Sequence, residues 1–212
     1  MKKLRFLLLL AAGLACAVPA GAQVFGQYTP ADVLAVNARQ FGAYVDFSEN
    51  TTGLMSQLRL SFYPNVDFGF QGGLSRFDLG SSTKTTLRLG ADARVGVLRA
   101  GAGAPVDVSA GGALGVETTD NYTSLRLGPS VVASRALPLT GESALVPYAG
   151  AMLCFANVSA HGDSETDFSL PLRLGAELRA IPGVRIAAEL QIRVGDDFDD
   201  DTAFTAGVNL PF

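Results

Sequence analysis

Charged side chains recur at every second position within several apolar segments of this 212-residue chain. Because side chains alternate between the two faces of a β-strand, such segments carry charge on one face and apolar groups on the other. Arginines gathered on one face can pair with carboxylates, or form a ring that favours anions if water reaches them. The clearest segments share a short repeat: Leu58-Arg59-Leu60, Leu87-Arg88-Leu89, Leu125-Arg126-Leu127 and Leu172-Arg173-Leu174.

Carboxylates occupy the same face as these arginines, in nearly balancing numbers. Buried charges must pair or stay hydrated, so the balance favours a charge-paired network over an anion-selective ring. Each repeat falls early in a strand of the same direction, so we expect its four arginines at similar depth. The predicted network consists of Arg59, Arg88, Arg126, Arg173, Arg193, Asp46, Asp92, Glu117, Glu177 and Glu189.

One acidic run has residue types that suit a divalent cation. Clustered carboxylate oxygens are ligands for Ca²⁺ or Mg²⁺, but this run lacks the glycine and distal glutamate of an EF-hand loop. A hydrated loop is the simpler interpretation, so we predict no metal site and no cofactor. The weak metal candidates are Asp196, Asp197, Asp199, Asp200 and Asp201.

The single histidine, His161, is the main candidate for catalysis. It precedes Asp163, Ser164 and Glu165 in a polar loop, so residue types for a hydrolase are present. The order of Asp and His is the reverse of that in omptin-type outer-membrane proteases, and the spacing differs from that of outer-membrane deacylases. We therefore predict no enzymatic activity and keep a hydrolase using His161 as an alternative.

The first residues are typical of an export signal. A basic start with Lys2, Lys3 and Arg5 precedes an apolar stretch over 6–15 and a small-residue cleavage site at 20–22. Cleavage after Ala22 would move the formal charge of −4 to about −7 and remove Cys16, leaving Cys154 without a cysteine partner. An acidic chain without a basic cluster argues against nucleic acid.

Turn residues divide the remainder into alternating segments that predict about ten strands, with eight as the alternative. Polar connections follow the odd strands, and Pro- or Gly-containing turns follow the even ones. Aromatic residues near the strand ends predict two rim girdles, which would contain Phe41, Phe62, Phe68, Tyr148 and Phe212 at the periplasmic rim and Phe47, Phe77, Tyr122, Phe168 and Phe204 at the outer rim. Before the first strand, Thr29 and Pro30 could begin a short helix, or the stretch could be an irregular lead into the barrel. The predicted strands are 40–48, 53–63, 66–77, 84–98, 105–117, 122–136, 145–159, 167–180, 183–195 and 202–212.

The chain ends on an apolar alternation that includes Gly207, Leu210 and Phe212. The pattern Thr205-x-Gly207-x-x-Leu210-x-Phe212 resembles the terminal signal by which bacterial assembly machinery recognises outer-membrane β-barrels. The chain as a whole is similar to the family of small outer-membrane β-barrel proteins. That resemblance implies an up-and-down antiparallel transmembrane barrel closed between its first and last strands, with apolar side chains toward lipid and charges inside.

These observations predict a signal peptide at 1–22, a periplasmic lead segment at 23–39 and a barrel at 40–212. The expected function is non-enzymatic: a structural or surface role in the envelope, or narrow porin-like passage of small solutes. A soluble lipocalin-like barrel that binds an apolar ligand is a further alternative. The expected partners are outer-membrane lipid, lipopolysaccharide and the barrel-assembly machinery, and we expect a monomer in the cell outer membrane.

Overall fold

The computed structural model describes residues 27–48, 51–78, 83–120, 122–160, 163–194 and 202–212. No helix in these ranges is long and apolar enough to cross a membrane. In the described part of the chain the strands are β1 (Arg39–Ser48), β2 (Thr51–Tyr63), β3 (Val66–Asp78), β4 (Thr83–Leu98), β5 (Asp107–Thr119), β6 (Tyr122–Ser134), β7 (Leu137–Pro138), β8 (Ala144–Met152), β9 (Cys154–Ala160), β10 (Asp163–Ile181), β11 (Val184–Val194) and β12 (Thr202–Pro211).

The strands form one closed antiparallel barrel. Strands β1 to β6 pair in sequence order, β6 pairs with β8 and β9, both of these pair with β10, and β10 to β12 again pair in order. Strand β12 returns to pair with β1, with Phe41 opposite Leu210 and Phe47 opposite Phe204. Strands β8 and β9 are two parts of one wall strand, because both lie between β6 and β10 and only Leu153 separates them. The short β7 pairs with β8 alone, so the wall has ten strands. This confirms the prediction of ten rather than eight.

Alternating side chains make the barrel apolar outside and polar inside. In β2, Gln57 and Arg59 are buried, whereas Leu54 on the opposite face is 64% exposed. The same alternation leaves Leu89 on β4 and Leu174 on β10 more than half exposed. A water-soluble barrel would place these leucines in its core, since burying apolar area is the main stabilising term in folding. The outer surface is therefore suited to lipid.

The two ends of the barrel differ. We call one end the terminal rim, because β1 begins there and Phe212 ends there; Phe212 N donates to Arg39 O at 2.9 Å. Tight turns join β2 to β3 and β10 to β11 at this rim, with Asn65 at φ 61° and Gly183 at φ 78°. The opposite end, which carries the connections after odd strands of the wall, is the loop rim.

Most of the predicted rim aromatics lie on the outer surface, with Tyr148 as the exception. Phe41, Phe62 and Phe212 are exposed at the terminal rim, and Phe47 and Phe168 are exposed toward the loop rim. The prediction that Tyr148 belongs to a girdle is wrong, because this side chain is only 4% exposed and faces the lumen. It lies directly across from Gly175 of β10, where a glycine leaves space for the ring.

A second tyrosine fills the seam where the barrel closes. Tyr44 of β1 lies opposite Gly207 of β12, and its hydroxyl donates to the side-chain oxygen of Asn209. A Cβ on Gly207 would lie 2.4 Å from the Tyr44 ring and 2.2 Å from the carbonyl oxygen of Ala43. An aromatic ring that covers a cross-strand glycine pins the register of the pair. The glycine of the terminal pattern thus has a structural role at the seam.

Residues 27–38 precede β1 and contain no helix, so the short helix considered from the sequence does not form in this segment. Asn37 at φ 64° helps the chain turn into β1. Residues 35–37 are exposed, whereas the preceding residues run inside the barrel, and Gln27, Tyr28, Thr29 and Ala31 are each at most 3% exposed. We call residues 27–34 the plug.

Candidate functional site

The lumen is the candidate site, because alternation along the strands directs the charged residues into it. The structure places all ten predicted network side chains inside the wall, each less than 9% exposed: Arg59, Arg88, Arg126, Arg173, Arg193, Asp46, Asp92, Glu117, Glu177 and Glu189. Further charged residues face the same lumen, among them Asp67, Arg94, Arg179 and Arg185.

The most deeply buried cluster joins β2, β3 and β4. Arg59 Nη2 lies 2.5 Å from Asp67 Oδ1 and 2.8 Å from Asp92 Oδ1. Arg94 makes a two-pronged contact with Asp67, through Nε at 2.8 Å and Nη2 at 3.0 Å. Gln71 Nε2 donates to Asp92 at 2.5 Å. Two arginines and two carboxylates thus form a neutral cluster whose oxygens are held by several donors, which is the condition for keeping charge out of water.

A second cluster lies nearer the loop rim. Arg88 Nη1 is 2.9 Å from Asp46 Oδ2, and Arg88 Nε is 3.2 Å from Glu117 Oε1. Thr86 donates to the same Glu117 oxygen at 2.9 Å. Gly53, opposite Asp46 on β2, leaves the space that this carboxylate fills. The cluster joins β1, β4 and β5 across the barrel.

Two further ion-paired groups lie on the inner face of the wall formed by β10 and β11. Glu177 accepts from Arg179 Nε at 2.9 Å and lies 3.6 Å from Arg185 Nη1. Arg173 Nη2 lies 3.3 Å from Glu189 Oε2. Together with the first two clusters, these groups distribute charge pairs around the lumen.

The four repeat arginines do not form one ring. Arg88 lies five residues and Arg126 four residues into their strands from the loop rim. Arg59 lies eight and Arg173 ten residues in, because β2 and β10 begin earlier than predicted, at Thr51 and Asp163. Arg59, Arg88 and Arg173 also pair with different carboxylates. The expectation of similar depth is therefore wrong for Arg59 and Arg173.

The plug crosses the terminal half of the lumen and contacts several of these groups. Asp32 lies 2.8 Å from Arg179 Nη2, and Gln27 Nε2 donates to Asp92 at 3.2 Å. The ring of Tyr28 stacks on Tyr44 with 4.5 Å between centroids. From the sequence, this stretch was either a short helix or an irregular lead into the barrel, and no partner was predicted for Asp32.

Beside the plug, the terminal rim contains a cavity of about 670 Å³. The plug forms one side through Val33 and Leu34, and the ends of β4 and β5 form the other through Val97 and Asp107. Asp107 accepts from the backbone N–H of Ala100 at 2.9 Å, which fixes the connection at this edge. The terminal half of the lumen is thus divided between the plug and a partly open space.

The remaining candidates lie in or next to loop-rim connections. His161 and the acidic run Asp196, Asp197, Asp199, Asp200 and Asp201 lie outside the described residues, as does the predicted signal peptide. Ser164 and Glu165 are described and exposed. Among the described residues, no three His, Cys, Asp or Glu side chains are grouped to hold a metal ion. Cys154 is buried beside Met152.

A closed antiparallel wall with an apolar exterior and a charged, paired interior defines a transmembrane β-barrel. The architecture fits the family of small outer-membrane β-barrel proteins that the sequence resembles. No protein-family model and no curated protein matches the sequence.

Among solved structures, the chain is similar to an outer-membrane channel of the COG4313 group from Pseudomonas putida F1, with 11% identity and a TM-score of 0.48. The match covers 90% of this chain and 100% of that one. LpxR from Salmonella typhimurium matches with 9% identity and a TM-score of 0.40, over 82% and 99% of the two chains. The N-terminal β-barrel domain of Pseudomonas aeruginosa OprF matches with 8% identity and a TM-score of 0.36, over 84% and 98%.

Proposed function

We propose that this chain is an integral, non-enzymatic protein of the cell outer membrane, with a structural or surface role in the envelope and a lumen closed to solutes. The exterior supports insertion into lipid: large apolar side chains such as Leu54, Leu89 and Ile186 are more than half exposed around the wall. Leaving these surfaces in water would be unfavourable by about 25 cal/mol per Å².

The main observation that supports a lumen closed to solutes is the packing of side chains in its terminal half. Arg59 and Asp67 are fully buried although both face the lumen, and the plug contacts this cluster through Leu34 N, which donates to Asp67. A hydrated channel would leave such side chains in contact with water. Tyr44 and Met55, each 1% exposed, fill the adjoining space with Tyr28 of the plug.

The topology supports an orientation. With an even number of wall strands, both ends of the barrel domain lie at the terminal rim, which we assign to the periplasm. The pattern ending in Phe212 supports recognition by the barrel-assembly machinery from that side. The loop rim then faces outward toward lipopolysaccharide. We propose a monomer, since the closed wall presents no unpaired strand edge.

The charged interior argues against a lipocalin-like ligand barrel. An apolar ligand would meet Arg59, Asp67 and Arg88, whose desolvation is tolerated only because they pair with each other. A hydrolase that uses His161 stays a secondary proposal, supported only by the residue types around that histidine.

The closed lumen is tested by planar-bilayer recording and liposome swelling with the full wild-type chain. We expect no reproducible conductance steps and no swelling in small sugars, while flotation of the same liposomes and a mobility difference between unheated and heated samples show that the barrel has inserted and folded. Steps of uniform size from this verified preparation would overturn the closed state.

A further inference from the structure

We propose that the terminal half of the lumen is a binding site for an irregular peptide segment, and that the plug is its occupant within the same chain. This inference rests on the proposed closed barrel and adds what closes it. The predicted ligand is a segment that bends as the plug does, with Tyr28 at φ 45°, and that carries an aromatic residue followed, four positions later, by a carboxylate.

The wall contacts the plug largely through the plug's main chain. Arg94 Nη1 donates to Pro30 O at 2.5 Å, and Asn209 Nδ2 donates to Tyr28 O at 3.2 Å. In the other direction, Leu34 N donates to a carboxylate oxygen of Asp67 at 3.1 Å. Main-chain contacts of this kind do not depend on side-chain identity, and they supply affinity in other modes of peptide recognition.

Further main-chain contacts come from other parts of the wall. Ala31 N donates to Ser134 Oγ on β6 at 3.0 Å, and Arg94 Nη2 donates to Asp32 O at 3.2 Å. The plug is therefore held from β3, β4, β6 and β12. Such a distribution of donors and acceptors around an irregular segment is what a peptide site requires, since each buried backbone group needs a partner.

Two side chains of the plug give the site its selectivity. The ring of Tyr28 stacks on Tyr44, which is 1% exposed at the seam. Asp32 pairs with Arg179, whose Nη2 donates to both carboxylate oxygens, at 3.0 and 2.8 Å. A buried aromatic contact and a two-pronged ion pair discriminate against segments that lack either group.

The wall does not depend on the plug for its own pairing. Every wall strand pairs with two other wall strands, and residues 27–34 are not part of any strand. The cavity of about 670 Å³ beside the plug gives the segment room to shift toward the terminal rim. Loosening the plug should therefore open the lumen without dismantling the barrel.

The test uses the full chain with Tyr28→Ala and Asp32→Ala combined. We expect this variant to fold and to show conductance steps at least tenfold more often than wild type, since each 1.4 kcal/mol lost from the closed state is a factor of ten. A synthetic peptide spanning residues 27–36, added from the terminal side, should suppress the steps. The same peptide carrying both substitutions should need at least tenfold higher concentration. The matched control is Val36→Ala, because Val36 is 46% exposed and lies beyond the plug.

The peptide site would be overturned if the folded double variant showed no conductance steps. It would also be overturned if both peptides suppressed the steps equally. If the double variant does not conduct, the peptide site fails but the proposed closed barrel stands. If the wild type conducts, the closed barrel itself fails, so the two failures are distinguishable. If the double variant does not fold, Ala31→Cys with Ser134→Cys in a Cys154→Ser background decides the matter. Cross-linking of this pair by oxidation or a short bis-maleimide supports the site, and its failure with both reagents overturns it.

Discussion

The ion-paired cluster around Arg59 provides the sharpest stability prediction. Replacing Arg59 with Met keeps an unbranched apolar stem and removes the guanidinium that pairs with two carboxylates whose side chains are at most 1% exposed. Breaking a buried pair by removing one partner costs about 3–5 kcal/mol, because a buried charge is left without compensation.

The structure places the expected cost near the lower end of that range. Asp67 keeps its two contacts with Arg94, and Asp92 keeps donors from Gln71 at 2.5 Å and Gln27 at 3.2 Å. We therefore expect Arg59→Met to lower the free energy of unfolding by about 3 kcal/mol, roughly a 150-fold change in the folded-to-unfolded ratio. Adding Asp92→Asn removes the orphaned charge and should recover half of the loss or more.

The chain has no tryptophan, so urea unfolding in phospholipid vesicles is followed by the mobility difference between folded and unfolded forms on unheated gels. The matched control is Arg76→Met, because Arg76 is exposed toward the loop rim and should change stability by only about 0.5 kcal/mol or less. The reasoning is refuted if Arg59→Met is no more costly than Arg76→Met, or if the double variant is less stable than the single one.

Three further predictions concern close packing, assembly and catalysis. Gly73→Ala should destabilise the barrel by about 1–3 kcal/mol, since its Cβ would lie 2.3 Å from a backbone oxygen of β2. The control Gly72→Ala, whose nearest contact is at 3.7 Å, should be nearly neutral, and equal urea midpoints for the two variants would contradict this. Phe212→Ala should lower the amount of folded barrel in the outer membrane without preventing refolding of purified protein, with Phe168→Ala as the control; equal yields would count against the assembly role. His161→Ala should leave any envelope phenotype unchanged, and loss of a hydrolytic activity in that variant alone would revive the enzyme alternative.

The wall could be predicted from the sequence because the alternation of residue types within each strand shows which side chains share a face. Leu87, Arg88 and Leu89 show alternation within three residues, and this local pattern determines which side meets the lumen. The closure of β1 with β12 followed from the apolar alternation up to Phe212. Inside the lumen, membership of the charge network followed from the same rule.

Contacts across the lumen could not be predicted, because they join distant strands. Arg59 pairs with both Asp67, eight residues away, and Asp92, 33 residues away, and this choice of partners depends on strand register and tilt, which alternation does not determine. The position of the plug inside the lumen could not be predicted for the same reason. Asp32 and Arg179 are 147 residues apart, and residues 27–34 lack the periodic pattern that would indicate which side chains face the wall. Tyr148 was misassigned because its position near the start of β8 suggested a rim, although its alternation with Val146 and Gly150 placed it inside.

The central claim is that the leucine-bearing face of the wall meets lipid. Spin labels at Leu87→Cys, Leu89→Cys and Val95→Cys, each in a Cys154→Ser background in lipid vesicles, test it directly, with Lys84→Cys near the loop rim as the reference. We expect the three outward positions to be highly accessible to oxygen and poorly accessible to a polar nickel complex, and the reference position to show the reverse. High accessibility to the nickel complex at Leu87, Leu89 and Val95 would contradict a membrane-spanning barrel.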